Sequence, residues 1–462
     1  MNPDRYDVVR YPTEIKTSTH PDRLAAVATL FDLSPAPPER CRVLEIGCGD
    51  GGNLIPMAFS LPGSRFTGID RAETAVAAGR ALTAELGLSN LDLQAMDLMD
   101  FQGGEFDYII AHGIYSWVPA PVRERILAIC AASLAPCGLA YISYNALPGW
   151  HIRQAVRDML QFHTGAIGDP QEVMRSAREF LTWLKQGQAD TDFGRELESA
   201  LEREPNVLFH DELGPENHPF YFHQFVEDAA RHGLQHVADA NLREMFEPGV
   251  ALPEPPLLRE QYLDFYRLRR FRRSILCREG LTVAPVPRPE RLATLYASSD
   301  ATASAPGEGG AVEFAGRGKS RATTAHPLAI SVLSRLSAMY PRRVPVAELA
   351  GASDGAAVAE ILLRTSLAGL VQLHACAPKF AAEAGDRPEA SRVARLALAH
   401  GSKRLPTLHH ELIEITDETS ARAIALLDGT RSRAQIAREF DAPKAAVDEL
   451  LQRLARLPLL TA

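Results

Sequence analysis

Apolar residues in the first 145 positions fall into short runs that alternate with longer amphipathic segments. Five runs are short and rich in aliphatic and aromatic residues, which predicts strands at residues 42–46, 65–70, 91–96, 106–111 and 138–144. Helical periodicity occupies the intervals and the preceding segment, at residues 21–33, 53–60, 73–86 and 122–134. Strands that alternate with helices in this way predict an α/β fold with a Rossmann-like sheet covered on both faces.

The pattern changes after Trp150. Residues 151–205 predict three amphipathic helices with no strand between them. Strands are predicted again at 234–237 and 273–277, after helices at 226–232 and 260–270. A helix followed by two late strands would complete a seven-stranded sheet. We therefore predict one domain over residues 1–285, with a helical insertion at 151–210 and a middle region at 211–285 that completes the sheet.

The remainder of the chain predicts a linker and a smaller, mostly helical domain. Residues 286–325 contain the small and flexible stretch ASSDATASAPGEGG, which favours a linker. Residues 326–462 then predict a winged-helix-like domain. Within it, residues 326–375 carry two helices separated by the turn PRRVP, and residues 412–440 read as strand, helix, turn and helix.

Composition narrows the class of protein. The 462 residues carry a formal net charge of −9, which disfavours nucleic acid and anionic membranes as bulk partners. The six cysteines include no CxxC pair, so we expect reduced thiols and no zinc site. No apolar run is long enough to span a membrane, and the first residues have no signal-like apolar region. These features predict a cytoplasmic protein without membrane insertion.

The segment VLEIGCGDGGN, residues 43–53, carries the most specific chemical signal. Gly47, Gly49 and Gly52 allow a sharp turn from strand to helix with bare backbone amides facing a ligand. The pattern GxGxxG also occurs in dinucleotide sites, and a tight turn without a ligand is a further alternative. Glu45 favours a third interpretation, because its carboxylate would repel a pyrophosphate but attract the sulfonium and ammonium groups of S-adenosylmethionine.

Acidic residues follow the next two strands. Asp70 ends the second strand, where a carboxylate can accept both ribose hydroxyls. Asp97 follows the third strand and is placed to meet an adenine amino group, with Met96 and Leu98 available to pack on the ring. Helix capping is the alternative role for Asp97.

Two aromatic loops follow the fourth and fifth strands, and we predict that they contain the catalytic residues. HGIYSWVP, residues 112–119, supplies His112, Tyr115 and Trp117, while YISYNALPGW, residues 141–150, supplies Tyr144 and Asn145. Ligands of open α/β sheets bind outside the carboxyl ends of the strands, and aromatic faces suit a cationic or amine acceptor. The alternative for Trp117 is simple packing against the next helix.

Two further stretches are chemically suggestive. HDELGPENHPFYF, residues 210–222, contains His210, Asp211, Glu212 and His218, but it lacks the spacing of a helical zinc site, so a structural or gating loop is favoured over a metal site. The basic run RLRRFRR, residues 267–273, predicts a solvated helix face, with an acidic partner surface as the alternative.

Taken together, several motifs resemble one known family. GCGDGGNLIPMA, HGIYSWVP, YISYNALPGW, HDELGPENHPFYFHQF and QYLDFYRLRRFRRSILC resemble bacterial class I methyltransferases that carry a methyltransferase regulatory domain. That group includes rickettsial protein-lysine methyltransferases that act on outer-membrane protein B. Similarity extends to YDVVRYP and THPDRLA near the N-terminus and to LPTLHHELIEITDETSARAIALLDGTRSRA near the C-terminus.

The resemblance implies methyl transfer from S-adenosylmethionine to lysine amines of a protein, leaving S-adenosylhomocysteine. It also implies a dimerisation role for the insertion, and hence a homodimer. The residues predicted to contact the cofactor are Glu45, Gly47, Cys48, Gly49, Asn53, Asp70, Arg71, Met96, Asp97, Leu98 and His112. Two alternatives remain open: a small-molecule N- or O-methyltransferase of a biosynthetic pathway, and a non-catalytic protein that binds the cofactor and uses its C-terminal domain for interaction.

Overall fold

A computed structural model describes residues 5–188, 191–246, 249, 251–317, 320–351, 354–377 and 380–461. The ends of the predicted domains at residues 1–4 and 462 lie outside this range. Within the described residues, no helix has both the length and the apolar character that a membrane crossing requires.

The largest sheet has seven strands in the order β3-β2-β1-β4-β5-β7-β6. Its strands are β1 (Arg42–Ile46), β2 (Arg65–Asp70), β3 (Leu91–Ala95), β4 (Phe106–Ala111), β5 (Leu134–Asn145), β6 (Leu234–Asp239) and β7 (Phe271–Arg278). The first five are parallel, and β7 is antiparallel to both β5 and β6. The prediction of a seven-stranded Rossmann-like sheet is therefore confirmed.

Helices cover both faces of this sheet. They are α1 (Arg5–Val8), α2 (Pro21–Leu30), α3 (Leu54–Ser60), α4 (Glu73–Leu86), α5 (Ala120–Ser133), α6 (Trp150–Thr164), α7 (Pro170–Gln186), α8 (Asp192–Leu201), α9 (Pro205–Asp211), α10 (Phe222–Arg231) and α11 (Pro256–Arg267). Alternate residues of β1 reach opposite cores: Val43 packs with α2, α3 and α4, whereas Leu44 and Ile46 pack with α5 and α10. Burial on both faces explains why these strands read as continuous apolar runs.

Most boundaries agree with the sequence prediction, and among the strands β5 shows the largest difference. It begins at Leu134, directly after α5, rather than at residue 138. Leu134 pairs with Phe106 and the register then shifts before Tyr108 pairs with Leu139. The residues Ala135–Gly138 contain Pro136 and Gly138, which hide the irregular start of the strand from a periodicity argument.

In the sequence, helices α6–α9 lie between β5 and β6 of the same sheet, and they have a small core of their own. That core contains Val156, Leu160, Leu181, Leu197 and Leu208. The sequence predicted three helices here. The fourth, α9, begins at Pro205, where the predicted helical stretch ended.

The segment 286–325, predicted as a linker, contains regular structure. It carries β8 (Tyr296–Ser298), β9 (Thr302–Ala303), β10 (Val312–Ala315) and β11 (Arg321–Thr324). Ala297 and Phe314 are fully buried in the same core as β1. The segment therefore contains short strands that contribute to the core, and the prediction of a linker is corrected.

The next elements join the same core. They are α12 (Pro327–Met339), β12 (Val344–Pro345), α13 (Val346–Ala350), α14 (Gly355–Leu367) and β13 (Gln372–His374). Strands β12 and β13 flank β8 in an antiparallel sheet. Asp22 of α2 accepts hydrogen bonds from the backbone of Ala375 and Cys376 and pairs with Arg343, which ties this region to the N-terminal part of the chain.

The last elements form a unit with its own core, here termed the C-terminal unit. They are α15 (Arg392–Ala399), β14 (Arg404–Pro406), β15 (Leu412–Glu414), α16 (Glu418–Leu426), α17 (Arg433–Phe440) and α18 (Lys444–Ala455). The predicted order of strand, helix, turn and helix over residues 412–440 is confirmed. Val393 and Leu396 of α15 pack on Ile55 of α3, so the unit contacts the helix that follows the glycine motif.

The basic run at residues 267–273 was predicted to form a solvated helix face, and the structure corrects this prediction. Arg269 and Arg272 are buried rather than solvated. Arg272 pairs with Asp264 and Glu260, and Arg269 pairs with Asp264. The acidic partners lie within the protein itself, on the helix that precedes the strand, because a buried charge requires a paired counter-charge.

Candidate functional site

The glycine motif forms the loop between β1 and α3. Gly47, Gly49 and Gly51 have φ values of +75°, +55° and +74°, which L-residues rarely adopt. Gly52 does not have a positive φ. A Cβ atom at Gly52 would instead approach the carbonyl oxygen of Thr13 to 2.9 Å. The sequence identified the sharp turn correctly but assigned to Gly52 a role that belongs to Gly51.

Glu45 lies at the base of this loop and is 5% exposed. Its Oε1 accepts a hydrogen bond of 2.7 Å from Asn53 Nδ2. Its Oε2 is buried and has no hydrogen-bond partner among the described residues. Burial raises the pKa of Glu45 to about 8; the Asn53 bond lowers it, Asp70 raises it, and Lys16 lowers it. A buried carboxylate oxygen without a partner is costly and indicates that a cationic or hydrogen-bonding ligand belongs there.

Asp70 holds the glycine loop from the neighbouring strand. Its Oδ2 accepts a hydrogen bond of 2.8 Å from Gly49 N, and its Oδ1 accepts one of 2.9 Å from Ala72 N. These two bonds fix the carboxylate beside the glycine loop, and its contact with ribose hydroxyls stays a prediction. The structure thus brings Glu45, Gly49, Asn53 and Asp70 together at the carboxyl ends of β1 and β2.

Asp97 follows β3 and caps a short 3-10 helix. Its Oδ1 accepts a hydrogen bond of 2.8 Å from Met99 N, which is the capping role that the sequence left open. Leu98 is buried and Met96 packs partly against the same apolar cluster. Met96 N also donates to the carbonyl of Asp70, which fixes the spacing between the two acidic residues. Contact of these residues with an adenine ring stays a prediction.

Two other predicted residues differ in exposure. Cys48 is buried, and burial raises the pKa of its thiol well above the usual range. Arg71 is exposed beside Asp70. We use the term cofactor edge for the carboxyl ends of β1, β2 and β3. It includes the glycine loop and the residues described above: Glu45, Cys48, Asn53, Asp70, Arg71, Met96, Asp97 and Leu98.

The N-terminal segment, residues 10–19, covers the cofactor edge, although no local sequence pattern predicts this contact. Arg10 and Thr13 both bond to Asp50 in the glycine motif. Lys16 N donates a hydrogen bond of 2.9 Å to Asn53 Oδ1, and Asn53 Nδ2 donates one of 3.0 Å to Thr19 Oγ1. The segment contains no catalytic type of motif, so only its similarity to the family could have signalled its place.

His112 lies just past β4, at the carboxyl end adjoining β1. Its Nδ1 is 2.9 Å from the hydroxyl of Tyr141, and its ring lies edge-on to Phe271 with a centroid distance of 5.9 Å. Burial, together with the smaller effect of the charges of Lys16 and Arg273, lowers the pKa of His112 to about 3. The imidazole is therefore neutral at physiological pH.

Tyr115 and Tyr144 lie in the apolar core, each 1% exposed. Tyr144 stacks on Phe225 of α10 at a centroid distance of 4.1 Å, and its hydroxyl is 3.3 Å from Ser274 Oγ. Tyr115 packs edge-on against the same phenylalanine. Both rings pack in this core, and the predicted catalytic role of the two tyrosines stays a prediction.

Asn145 is buried, whereas Trp117 is partly exposed. Asn145 pairs with Phe271 across β5 and β7, and its buried Nδ2 has no partner in the part of the chain that the structure describes. Trp117 lies edge-on to Trp150 at 6.1 Å, and the guanidinium of Arg157 lies 5.3 Å from its ring centroid. Trp117 thus packs against the first helix of the insertion. We refer to the carboxyl ends of β4 and β5, with their loops, as the aromatic edge.

The stretch 210–222 contributes internal contacts. His210 bonds to the carbonyl of Val9 at 2.7 Å, and Glu212 pairs with Arg153 and Arg203. His218 bonds to Glu216. Across the described residues, no group of three or more His, Cys, Asp or Glu side chains is arranged to hold a metal ion.

The cofactor edge fits S-adenosylmethionine. The unpartnered oxygen of Glu45 can accept from the ammonium group, and the positive φ of Gly47 and Gly49 requires residues without a Cβ in the loop beside it. A Cβ at Gly47 would lie 3.3 Å from Ile114 Cδ1, so the loop after β4 closes the same space from the other side.

Three family models match the chain. A methyltransferase domain matches residues 43–138, a predicted methyltransferase regulatory domain matches residues 204–278, and the C-terminal winged helix domain described for PKMT matches residues 386–452. The last match lies within the C-terminal unit, C-terminal to the segment 326–375 in which the sequence suggested a winged-helix-like arrangement.

Two of the curated relatives come from Rickettsia prowazekii. One uncharacterized protein is 34% identical over 294 residues, which cover 60% of this chain and 53% of that protein. Another is 33% identical over 234 residues, which cover 49% of this chain and 94% of that protein. The chain therefore spans about half the length of the first relative and nearly all of the second.

The solved structure of PKMT2 from Rickettsia typhi has the same fold. Its TM-score is 0.86 at 23% identity, over 98% of this chain and 100% of that one. A second structure of that protein, in complex with AdoHcy, aligns equally well.

Proposed function

Because the chain belongs to the class I S-adenosylmethionine-dependent methyltransferases that carry a methyltransferase regulatory domain and a PKMT C-terminal winged helix domain, we propose that it methylates lysine side chains of proteins. The observation that carries the proposal is the buried, unpartnered oxygen of Glu45 beside the glycine loop. When ionised on cofactor binding, Glu45 provides the negative charge that a cationic cofactor requires and that would repel the pyrophosphate of a dinucleotide.

The residues of the cofactor edge have separate roles in this proposal. Glu45 holds the ammonium group, the amides of the glycine loop line the methionine portion, and Asp70 accepts the ribose hydroxyls. Met96, Asp97 and Leu98 surround the adenine, with Cys48 and Arg71 at the margins of the site. When bound, S-adenosylmethionine would supply an activated methyl group: a neutral amine would attack the methyl carbon in line, and the C–S bond would break to release S-adenosylhomocysteine.

The aromatic edge would receive the amine. A lysine amine has a reference pKa of about 10.4, so it must lose a proton before it can attack. His112 stays neutral and therefore adds no positive charge beside the reacting groups. Asn145 has hydrogen-bonding capacity left in its buried amide and can orient the amine. Positioning of this kind supplies much of the rate in group transfer.

A labelling experiment tests the acceptor class. The purified protein is incubated with methyl-labelled S-adenosylmethionine and a bacterial lysate, and protein is then separated from small molecules. We expect label in protein, recovered as methylated lysine after hydrolysis. Label confined to small molecules would overturn the protein-lysine proposal and support the biosynthetic alternative, whereas cofactor binding without any transfer would support the non-catalytic one.

We also propose a homodimer formed through the insertion, as the resemblance implies. Phe162 on α6 is 92% exposed and Trp183 on α7 is 63% exposed, which is unusual for large apolar side chains on one small helical unit. Light scattering of the double variant Phe162→Ser, Trp183→Ser should report a monomer; a dimer of unchanged stability would contradict the proposal. The free cysteines suit a reducing cytoplasm.

A further inference from the structure

The turn between β14 and β15 places two histidines inside the protein. Thr407 N donates a hydrogen bond of 2.8 Å to the carbonyl of Glu411, and His410 N donates one of 3.0 Å to the carbonyl of Thr407. His409 and His410 are both buried at the tip of this hairpin. His410 has a φ of +56°, a conformation that histidine adopts more readily than bulkier residues.

His410 reaches the cofactor edge through Asn53. Its Nε2 lies 3.0 Å from Asn53 Oδ1, which also accepts a hydrogen bond from Lys16 N. Since Oδ1 accepts, Nε2 of His410 must be the donor. Burial, followed by the charges of His20 and Arg23, holds the pKa of His410 well below its usual range, so the ring is neutral with its proton on Nε2.

These bonds saturate the amide of Asn53. Its oxygen accepts from Lys16 and His410, and its nitrogen donates to Thr19 and Glu45. A side-chain amide with four partners has one orientation, and here that orientation directs a donor at Glu45 Oε1 and leaves Oε2 for another partner.

The hairpin tip is itself held by several contacts. Thr17 Oγ1 donates a hydrogen bond of 2.9 Å to the carbonyl of His410. Glu411 pairs with Arg317 at 2.6 Å and accepts from Gln372 at 3.1 Å. The position of His410 is therefore set by contacts from three separate parts of the chain.

We propose that His410 is a positioning residue for the cofactor site: it fixes the Asn53 amide so that Glu45 presents one free carboxylate oxygen to the cofactor ammonium. The C-terminal unit thereby completes the site rather than serving only as an attachment. This inference rests on the proposed role of Glu45.

Several charged or titratable side chains lie close to Glu45 and His410. Glu45 faces Asp70 from β2 and Lys16 from the N-terminal segment, with Cys48 in the glycine loop. His410 faces His20 and Arg23, both near the start of α2. Asp70, Lys16, Cys48, His20 and Arg23 are unchanged in the variants below, so their contribution to the charge around Glu45 and His410 is the same in each.

The test compares two neighbouring histidines in the full-length protein. His410→Phe keeps a ring but removes the donor, and we expect S-adenosylmethionine to bind about 5- to 10-fold more weakly by calorimetry. His410→Gln retains a donor at the place of Nε2 and should restore affinity to within about twofold. His409→Phe is the matched control: the ring nitrogens of His409 have no partner within the described residues, and it packs against Tyr340 and Phe380.

A double variant separates positioning from general damage. In a Glu45→Gln background, His410→Phe should have no further effect on affinity, because its influence passes through Glu45. The pH at which affinity reaches half of its plateau should also rise in His410→Phe alone. If His410→Phe proves unstable, Thr19→Val removes another partner of the same amide and should give the same upward shift in pH.

The outcomes are distinguishable. Wild-type affinity in His410→Phe, or an additive loss in the double variant, would overturn the positioning role while leaving the cofactor site intact. Wild-type affinity in Glu45→Gln alone would overturn the proposed function of Glu45 itself.

Discussion

Sequence motifs predicted site residues at both the cofactor edge and the aromatic edge, but the side chains at the two edges have different environments in the structure. At the cofactor edge, Glu45 retains a buried oxygen without a partner among the described residues, and Asp70 accepts hydrogen bonds from the backbone of Gly49 and Ala72. At the aromatic edge, the side chains of Tyr115 and Tyr144 are buried by packing in the apolar core.

The difference has a physical cause. A buried carboxylate has no favourable interaction with an apolar core, so its presence beside a glycine loop indicates a ligand. An aromatic ring gains free energy from burial in a core and from contact with a substrate alike. A polar residue in an apolar run is therefore the more specific signal, and each experiment below contrasts the two edges.

The largest effect is expected at the aromatic edge, on stability. Tyr144→Ala removes a fully buried ring stacked on Phe225 and should lower the free energy of unfolding by about 3–5 kcal/mol. Tyr144→Phe loses only a hydroxyl and should cost no more than about 1 kcal/mol, with methyl transfer unchanged. Denaturant unfolding measures the first and an initial-rate assay the second. A Tyr144→Phe protein of normal stability that has lost methyl transfer would return this tyrosine to the catalytic group.

The next largest effect is expected at the cofactor edge, on binding. Glu45→Gln removes a charge but keeps the shape, and should weaken S-adenosylmethionine binding by about 2–3 kcal/mol, or roughly 30- to 150-fold. S-adenosylhomocysteine has the ammonium but lacks the sulfonium, so an equal loss for both ligands by calorimetry would assign Glu45 to the ammonium. Stability without ligand should not fall, in contrast to Tyr144→Ala.

Affinity at the cofactor edge should also depend on pH. Burial raises the pKa of Glu45 to about 8, so below this pH the free protein holds the carboxyl mostly protonated and binding must ionise it. Affinity should therefore rise with pH and level off above about 8, with a loss of up to roughly tenfold for each unit below it. The same titration of Glu45→Gln corrects for ionisation of the ligand. A pH dependence that survives in that variant would have another source.

Much of the fold was predictable because periodicity reports burial directly. Strands β1, β2 and β4 begin and end where the apolar runs do. The short strands within residues 286–325 were not predictable, because strands of two to four residues are too short to show a period. Nor were the contacts of Arg10 and His410 with the glycine motif, since they join residues separated by 40 and 357 positions and depend on packing that no local pattern encodes.

The smallest effect concerns Asp97, where capping and ligand binding coincide on one side chain. Asp97→Ala should cost about 1 kcal/mol of stability, because the hydrogen bond to Met99 N is lost. Asp97→Ser keeps a capping oxygen on a shorter, neutral side chain, so it should preserve stability yet bind S-adenosylmethionine about fivefold more weakly if the carboxylate accepts from the adenine amino group. Thermal unfolding and calorimetry on the same two variants separate these contributions. Equal affinity in Asp97→Ser and wild type would leave Asp97 with the capping role alone, and the cofactor edge would then end at β2, because an acidic residue satisfied by the backbone, like a buried tyrosine, needs no ligand to explain it.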